Sequence, residues 1–286
     1  MVEEGRFLDK RITRRRLIQG ATDLVTAGII IYGLRGGLSF APTNYDYLNI
    51  SPEDRETLAS LKPVTIAHAA GNSPEGIEKA RNAWITLAEL DANIVDDEIF
   101  VDHGINFAHG LAGFNRKTWT FRIGRPNFSL QEAFEIASTG PRKIGLFIEL
   151  KRGDFKSHHI EQILKWEDAY KIPILFHGNR IDQLDRARHV SGNSEKSVYV
   201  PDGQKDWAKI LEEQEKEERK AVLSNPYSIW LYGQRMLENG ITIYAGDANS
   251  APQVLALNQI GVNRFINERT NLRRLFSQSE SAHGQI

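Results

Sequence analysis

From residue 63 onward, short apolar runs alternate with segments that carry helix signals, and no other feature of the sequence constrains the fold as strongly. The run Ile144–Leu150 is almost wholly apolar, which is typical of a parallel strand buried on both faces. Ser73 and Pro74 suit the N-cap and first turn of a helix, and Gly240 is placed to end another. Because strands and helices alternate strictly, the sequence predicts a parallel sheet.

Residues 63–277 contain about eight predicted strands, each followed by a helix. The predicted strands and extended segments cover residues 64–67, 88–95, 98–101, 144–150, 172–176, 197–200, 220–224, 241–245 and 264–266. The first predicted helix begins at Pro74. The others cover residues 129–138, 158–170, 181–190, 206–219, 228–239, 251–260 and 271–276. This succession predicts an α/β fold whose strands close into a (β/α)8 TIM barrel. No Gly-x-Gly-x-x-Gly follows a predicted strand, which disfavours an open dinucleotide-binding sheet.

The composition excludes several classes of protein. The chain has no cysteine, so disulfides, a thiolate metal site and a cysteine nucleophile are all excluded. Its 36 basic and 37 acidic residues give a formal charge of −1, which lacks the electrostatic signature of a nucleic-acid-binding protein. Hydrophobic residues make up 41% and charged residues 26% of the chain, as in a globular protein rather than a disordered one. We therefore expect no nucleic-acid partner.

The first forty residues differ from the rest of the chain. A basic flank that includes Arg14, Arg15 and Arg16 precedes the uncharged segment Leu24–Leu34, and Thr-Arg-Arg-Arg-Leu-Ile resembles a twin-arginine export signal. The uncharged segment is about half of the roughly 20 apolar residues that span a bilayer, which is the length of a signal-peptide core. We expect residues 1–40 to be an export signal or membrane anchor, with membrane association through residues 14–35 and a location outside the cytoplasm.

The alternative for this segment is a buried amphipathic helix that caps the domain of a cytoplasmic protein. Residues 41–62 contain Pro and Ser turn signals and are predicted to be a linker. Residues 278–286 are predicted to form a polar tail.

Polar side chains stand at the ends of several predicted strands, where the active site of a TIM barrel is built. His68 ends the first strand. Glu89 and Asp91 are two residues apart on the second, so both side chains point to the same face, and Glu149 and Lys151 repeat this spacing on the next apolar strand. Carboxylates this close repel one another unless a cation neutralises them. Ligation by oxygen alone suits Mg²⁺ or Ca²⁺ rather than zinc.

Four further residues are candidates for the same mouth of the barrel. His103 follows the extended run Ile99–Val101. Asn72, His177 and Tyr244 lie just after or near the ends of predicted strands and are expected to line the mouth. The joint occurrence of carboxylates, histidines and a lysine on consecutive strands points to one reaction centre rather than to separate surface features.

These residues occur in an order and spacing that resemble a known family. The matching segments are His68-Ala-Ala-Gly, Ser73-Pro-Glu, Glu89-Leu-Asp91, Val101-Asp-His103-Gly and Ile148-Glu149-Leu-Lys151. The corresponding family motifs are His-Arg-Gly, Pro-Glu-Asn-Thr, Glu-x-Asp-Val, His-Asp and Glu-x-Lys. Over residues 64–272 the chain thus resembles the glycerophosphodiester phosphodiesterases, which belong to the phospholipase-C-like phosphodiesterase TIM barrels.

The resemblance implies a role for each motif residue. Glu89, Asp91 and Glu149 are implied to hold one divalent cation, Mg²⁺ or Ca²⁺. His68 and His103 are implied to be the acid/base pair, and the ammonium group of Lys151 is implied to contact the substrate phosphate. The implied activity is hydrolysis of a glycerophosphodiester or of a lysophospholipid-like phosphodiester.

The chain also departs from the family pattern. Ala69 stands where the family has arginine after the first histidine, which removes a bidentate phosphate donor. Gly104 stands where hydrolases of glycerophosphodiesters have aspartate, and His-Gly there is similar to the sphingomyelinase D branch. Two other functions therefore stay open. One is a repurposed barrel that binds a phosphorylated ligand at a membrane. The other is a glycosidase that uses Glu89 and Glu149 as its carboxylate pair, although this leaves the histidines unexplained.

Overall fold

The structure is a computed structural model and describes residues 61, 63–102, 128–201, 219–248 and 251–267. The chain divides into two units, Met1–Asn49 and Ile50–Ile286, and every described residue belongs to the second. The described part includes no helix long and apolar enough to cross a bilayer. The predicted segment 1–40, the linker 41–62 apart from Leu61, the helix 271–276, nearly all of the helix 206–219 and the tail 278–286 lie outside it.

Eight parallel strands close into a barrel. The strands of the sheet are β1 Val64–Ala67, β2 Leu87–Val95, β3 Glu98–Val101, β4 Gly145–Arg152, β5 Ile174–Gly178, β6 Ser197–Tyr199, β7 Ala221–Ser224, β8 Thr242–Ala245 and β9 Arg264–Asn267. Their order is β1-β9-β8-β7-β6-β5-β4-β2-β3, and β1 also pairs with β2, which closes the ring. Strand β3 runs antiparallel to β2 and extends the sheet outside the ring. The predicted (β/α)8 barrel is confirmed.

Helices follow most of the strands and begin where the sequence supplies caps. The described helices are α1 Pro74–Asn82, α2 Leu130–Ser138, α3 Ser157–Tyr170, α4 Ile181–Ser191, α5 Pro226–Glu238 and α6 Ala251–Gln259. The Ser73 hydroxyl accepts a hydrogen bond from the Gly76 N–H, as predicted for an N-cap. Helix α5 begins two residues before its predicted start, because the Asn225 side chain caps it by accepting from the Ser228 N–H.

Strand alternation separates an inner core from an outer one. Side chains from seven of the barrel strands meet in the inner core, among them Ile66, Leu87 and Phe147. The opposite faces of the strands pack with the helices in the outer core, which includes Leu90 and Ile148. Glu89 and Asp91 have the same parity as Leu87, and Glu149 and Lys151 have that of Phe147, so all four side chains belong to the inner face.

Strands β4 and β5 extend further than predicted, and this positions the site. β4 continues to Arg152, so Lys151 lies within the strand rather than after it. β5 begins after Pro173 and continues through Gly178, so His177 is also a strand residue. The apolar run Ile172–Phe176 predicted a strand two residues too early, because a proline lacks the N–H that the strand ladder requires.

A charged network ties helix α4 to strand β6. The Asp185 carboxylate accepts hydrogen bonds from the Tyr199 hydroxyl at 2.5 Å and from Arg219 Nη2 at 2.9 Å. The Arg219 guanidinium also lies over the Tyr199 ring, 4.8 Å from its centroid. Burial alone raises the pKa of the Asp185 carboxyl, but the hydrogen bonds from Arg219 and Tyr199 outweigh it and hold this pKa below its usual value.

We expect Asp185→Asn to lower the free energy of unfolding near pH 7 by about 1–3 kcal/mol, the cost of losing hydrogen bonds to a charged group. A carboxylate whose pKa is depressed by folding stabilises the protein above its unfolded-state pKa of about 4, and this contribution is lost as the pH falls. Urea unfolding of both proteins should therefore show a difference near pH 7 that shrinks toward about pH 3. An equal difference at both pH values would contradict this electrostatic account.

Candidate functional site

A cavity of about 370 Å³ opens at the carboxyl ends of the barrel strands, where the sequence places the site. One part of its wall is formed by His68, Glu89, Glu149 and His177. The rest of the wall comes from residues at or after the ends of β6, β7, β8 and β9, namely Val200, Pro201, Leu223, Ser224, Asn225, Ser228, Gly246, Asp247 and Ile266. All eight barrel strands therefore contribute to one cavity.

Glu89 is held by the loop that follows β1. Its side chain is only 2% exposed, and one carboxylate oxygen accepts a hydrogen bond from the Ala69 backbone N–H. The backbone of Ala69 is left-handed, with φ of 54°. Gly71 lets this loop lie against β2, since a Cβ there would come within 2.6 Å of the Leu90 Cβ. Ala69, which stands where the family has arginine, thus donates its backbone N–H to the Glu89 carboxylate.

Asp91 is held from two sides. Its carboxylate pairs with the Lys151 ammonium, and its Oδ2 accepts a hydrogen bond of 2.6 Å from the Asn72 amide. The Asn72 carbonyl oxygen in turn accepts from the Asp91 N–H at 2.8 Å. Lys151 Nζ also lies 3.4 Å from Glu149 Oε2. Asn72 therefore orients Asp91, and Lys151 is engaged by two carboxyl groups.

The electrostatics of these groups follow from their contacts. Burial and a hydrogen bond to Asp91 raise the pKa of Glu149. Burial alone would raise the pKa of Asp91, but hydrogen bonds from Glu149, Lys151 and Asn72 lower it below its usual value. Burial alone would lower the pKa of Lys151, but the two carboxyl groups raise it. A proton on Glu149 thus relieves the repulsion between neighbouring carboxyl groups, which is the relief that a divalent cation would also supply.

Two carboxylates and an imidazole converge in the cavity wall. Ligand atoms of Glu89, Glu149 and His177 all lie within 4.8 Å of one another. His177 Nε2 is 3.4 Å from Glu89 Oε1, yet neither ring nitrogen of this buried side chain makes a hydrogen bond. A ring nitrogen without a hydrogen bond, next to two carboxylates, suits the ligation of a divalent cation. Of the three predicted ligands, Glu89 and Glu149 belong to this cluster, whereas Asp91 faces Lys151 and Asn72.

The remaining predicted residues have different positions. His68 is exposed and lines the cavity, and its backbone N–H donates to the Asn267 carbonyl at 2.9 Å. Asn72 and Tyr244 are not among the described residues that line the cavity, which corrects the expectation for both. Tyr244 belongs to the inner core, where its ring packs on Phe147 with centroids 5.6 Å apart. His103 lies outside the described residues.

A second histidine cluster lies where the β2–β3 turn meets helix α3. His159 Nε2 lies 3.0 Å from Asp97 Oδ1, and His158 Nε2 lies 3.4 Å from the same oxygen. His159 Nδ1 accepts a hydrogen bond from the Lys156 backbone N–H, which places the proton of the neutral ring on Nε2, close to both Asp97 Oδ1 and His158 Nε2. While Nδ1 accepts this hydrogen bond, Nε2 keeps its proton and does not bind a metal. The cluster therefore joins the turn to the helix, and the geometry does not support a metal site there.

Comparison with known proteins identifies barrels of the same kind. No protein-family profile and no curated protein matches this sequence. The solved structure of an Oleispira antarctica phosphodiesterase in complex with the product sn-glycerol-3-phosphate matches with a TM-score of 0.57 and 15% identity, covering 80% of this chain and 98% of that one.

Two further solved structures match in the same way. One is an Agrobacterium tumefaciens protein assigned as a glycerophosphoryl diester phosphodiesterase, with a TM-score of 0.60, 12% identity and coverage of 78% and 100%. The other is a Parabacteroides distasonis glycerophosphoryl diester phosphodiesterase, with a TM-score of 0.53, 13% identity and coverage of 86% and 93%. This chain therefore shares its barrel fold with glycerophosphoryl diester phosphodiesterases, the family that its motifs resemble.

Proposed function

We propose that the protein is a metal-dependent phosphodiesterase that hydrolyses a glycerophosphodiester or a lysophospholipid-like phosphodiester. The observation that carries this proposal is the convergence of Glu89, Glu149, His177 and His68 on one cavity at the strand ends. The fold shared with solved phosphodiesterases supports it, and so does the order of the sequence motifs. A glycosidase with Glu89 and Glu149 as its carboxylates would leave both cavity histidines without a role.

The residues of the chain have distinct roles in the proposed reaction. A divalent cation held by Glu89 and Glu149 would neutralise the phosphodiester and the charge that develops on the leaving oxygen. The Ala69 N–H fixes the Glu89 carboxylate in place. His68, an exposed side chain that lines the cavity, takes a proton from water or from a neighbouring substrate hydroxyl. The second proton transfer, to the leaving alkoxide, requires another acid, for which His103 is the candidate.

The far wall of the cavity supports a small, hydroxylated substrate. Ser224, Asn225 and Ser228 line it at the start of helix α5, and the Ser224 hydroxyl is buried without a hydrogen-bond partner. Hydroxyl and amide groups of this kind suit the alcohol groups of glycerol. A cavity of about 370 Å³ is at the small end of ligand sites and suits a headgroup rather than two acyl chains. The sn-glycerol-3-phosphate bound to the Oleispira protein carries alcohol groups of this kind.

The test is hydrolysis of a panel of phosphodiesters by the full-length protein with and without EDTA. We expect alcohol release from glycerophosphocholine, glycerophosphoethanolamine or lysophosphatidylcholine, its loss in EDTA, and its recovery when a divalent cation is restored. Hydrolysis that is unchanged by EDTA would contradict the metal-dependent mechanism. Cation binding without hydrolysis of any diester would favour the repurposed binding barrel. Two features of the chain also favour that alternative: Ala69 replaces a family arginine, and Asp91 engages Lys151.

A further inference from the structure

We infer that His177 is a direct ligand of the divalent cation, so that the site binds its ion through two carboxylates and one imidazole. This inference rests on the proposed function and deepens it, because it changes both the ligand set and the preferred ion. The family motifs imply Glu89, Asp91 and Glu149 as ligands, which would be a site of oxygen atoms alone.

The first observation is that His177 is buried without a hydrogen bond. Its side chain is 6% exposed, and both ring nitrogens lack a hydrogen bond. The neighbouring buried groups are satisfied, since Glu89 accepts from Ala69 and Asp91 is bonded by Lys151 and Asn72. A buried imidazole that loses its hydrogen bonds to water without gaining others costs free energy. A ligand in the cavity would remove that cost.

The second observation is that strand pairing fixes where the ring lies. His177 on β5 is directly beside Glu149 on β4, and Glu149 is directly beside Asp91 on β2. The imidazole stacks on Phe147, with ring centroids 4.1 Å apart and planes 7° apart. Phe147 packs in turn on Tyr244. The ring plane is therefore set by packing before any ion binds, as expected of a preorganised ligand on a rigid strand.

The third observation is the spacing of the ligand atoms. His177 Nε2 lies 3.4 Å from Glu89 Oε1, and the three ligand atoms of the cluster lie within 4.8 Å of one another. Two atoms that each bind one ion at about 2.1 Å are about 3.0 Å apart in an octahedron and about 3.4 Å apart in a tetrahedron. The spacing of His177 and Glu89 is thus that of two ligands of one ion.

The remaining observation concerns Asp91, one of the three ligands that the motifs imply. Its two carboxylate oxygens are engaged by Lys151 and by Asn72. His177 approaches the carboxylates from the neighbouring strand and supplies the third donor. Imidazole nitrogen favours first-row transition metals over Mg²⁺ and Ca²⁺, which prefer oxygen. We therefore expect Mn²⁺ to bind more tightly than Mg²⁺.

The test measures Mn²⁺ binding by the full-length protein, using calorimetry for affinity and electron spin-echo modulation for nitrogen bound to the ion. His177→Phe keeps an aromatic ring on Phe147 but removes both nitrogens. We expect it to weaken Mn²⁺ binding by at least about tenfold and to abolish the ¹⁴N modulation seen in the wild type. His189→Gln, which removes an exposed histidine of helix α4, is the matched control and should retain both signals. If His177→Phe fails to fold, His177→Gln takes its place, with the same loss of the imidazole signal expected.

Retention of full Mn²⁺ affinity and of the ¹⁴N signal in folded His177 variants would overturn the inference. Loss of binding in Asp91→Asn but not in the His177 variants would also overturn it, because Asp91 would then be the third ligand. Failure of the proposed function looks different, because phosphodiester hydrolysis would then be absent, or unchanged by EDTA, while Mn²⁺ binding through His177 persisted. A wild-type protein that binds no divalent cation would overturn both.

Discussion

Replacing Glu89 with glutamine is expected to reduce kcat/KM for a phosphodiester by at least about 10³-fold, because the change removes a negative charge from the proposed cation site while keeping the shape of the side chain. Glu89 is buried, and it is the carboxylate nearest to His177. Its Oε2 accepts the Ala69 N–H, so an amide nitrogen in that place would set two donors against each other. Steady-state kinetics over a range of cation concentrations measures the effect.

A stability measurement separates this loss of activity from misfolding. Removing one of the converging carboxylates relieves repulsion with Glu149, so we expect the melting temperature of Glu89→Gln in EDTA to stay near that of the wild type. Glu161→Gln, at an exposed position on helix α3, is the matched control and should keep both activity and cation affinity. A folded Glu89→Gln protein with wild-type kcat/KM and cation affinity would exclude Glu89 from the site.

The second large effect is expected for His68→Gln. We expect kcat to fall by about 10²- to 10⁴-fold with a small change in KM, because general acid–base catalysis contributes this much and the substituted side chain cannot exchange a proton. His68 lines the cavity but does not belong to the cluster of Glu89, Glu149 and His177. Cation affinity should therefore remain at the wild-type level, which distinguishes His68 from the ligands.

The pH dependence of kcat/KM provides a further readout for His68→Gln. If His68 transfers a proton, the variant should lose one limb of the pH–rate profile, which a purely structural role would not remove. His158→Gln, at an exposed position that does not line the cavity, is the control. An unchanged pH profile together with a loss of cation binding would show that His68 acts on the ion and not on the proton.

Some of the site could be predicted from residue spacing, because strand geometry is local. Two residues separated by one always share a face of a strand, so Glu89 and Asp91 were correctly expected to point the same way, as were Glu149 and Lys151. The ends of parallel barrel strands meet at one mouth, which brings His68 to the same cavity as the carboxylates. The position of β5 was predicted two residues early, which placed His177 after the strand instead of within it.

Residue spacing could not predict which neighbouring side chains contact one another. Asn72 was expected to line the mouth, but both of its polar groups bind Asp91. Tyr244 was also expected to line the mouth, but stacking on Phe147 keeps its ring in the inner core. Both outcomes depend on contacts between residues that are far apart in sequence, and a single sequence shows the residue types without showing which of them touch.

The sequence by itself determined the closed barrel and the face on which the polar residues lie, since both follow from the period of apolar residues along each strand and from the succession of elements. The tertiary structure alone decided which of those residues converge on one cluster. The register of β5 against β4 sets His177 beside Glu149, and Lys151 and Asn72 engage the carboxylate of Asp91. The physical reason is that strand register and ion pairing depend on packing across the barrel, where a shift of one residue would turn His177 from the cavity to the outer core.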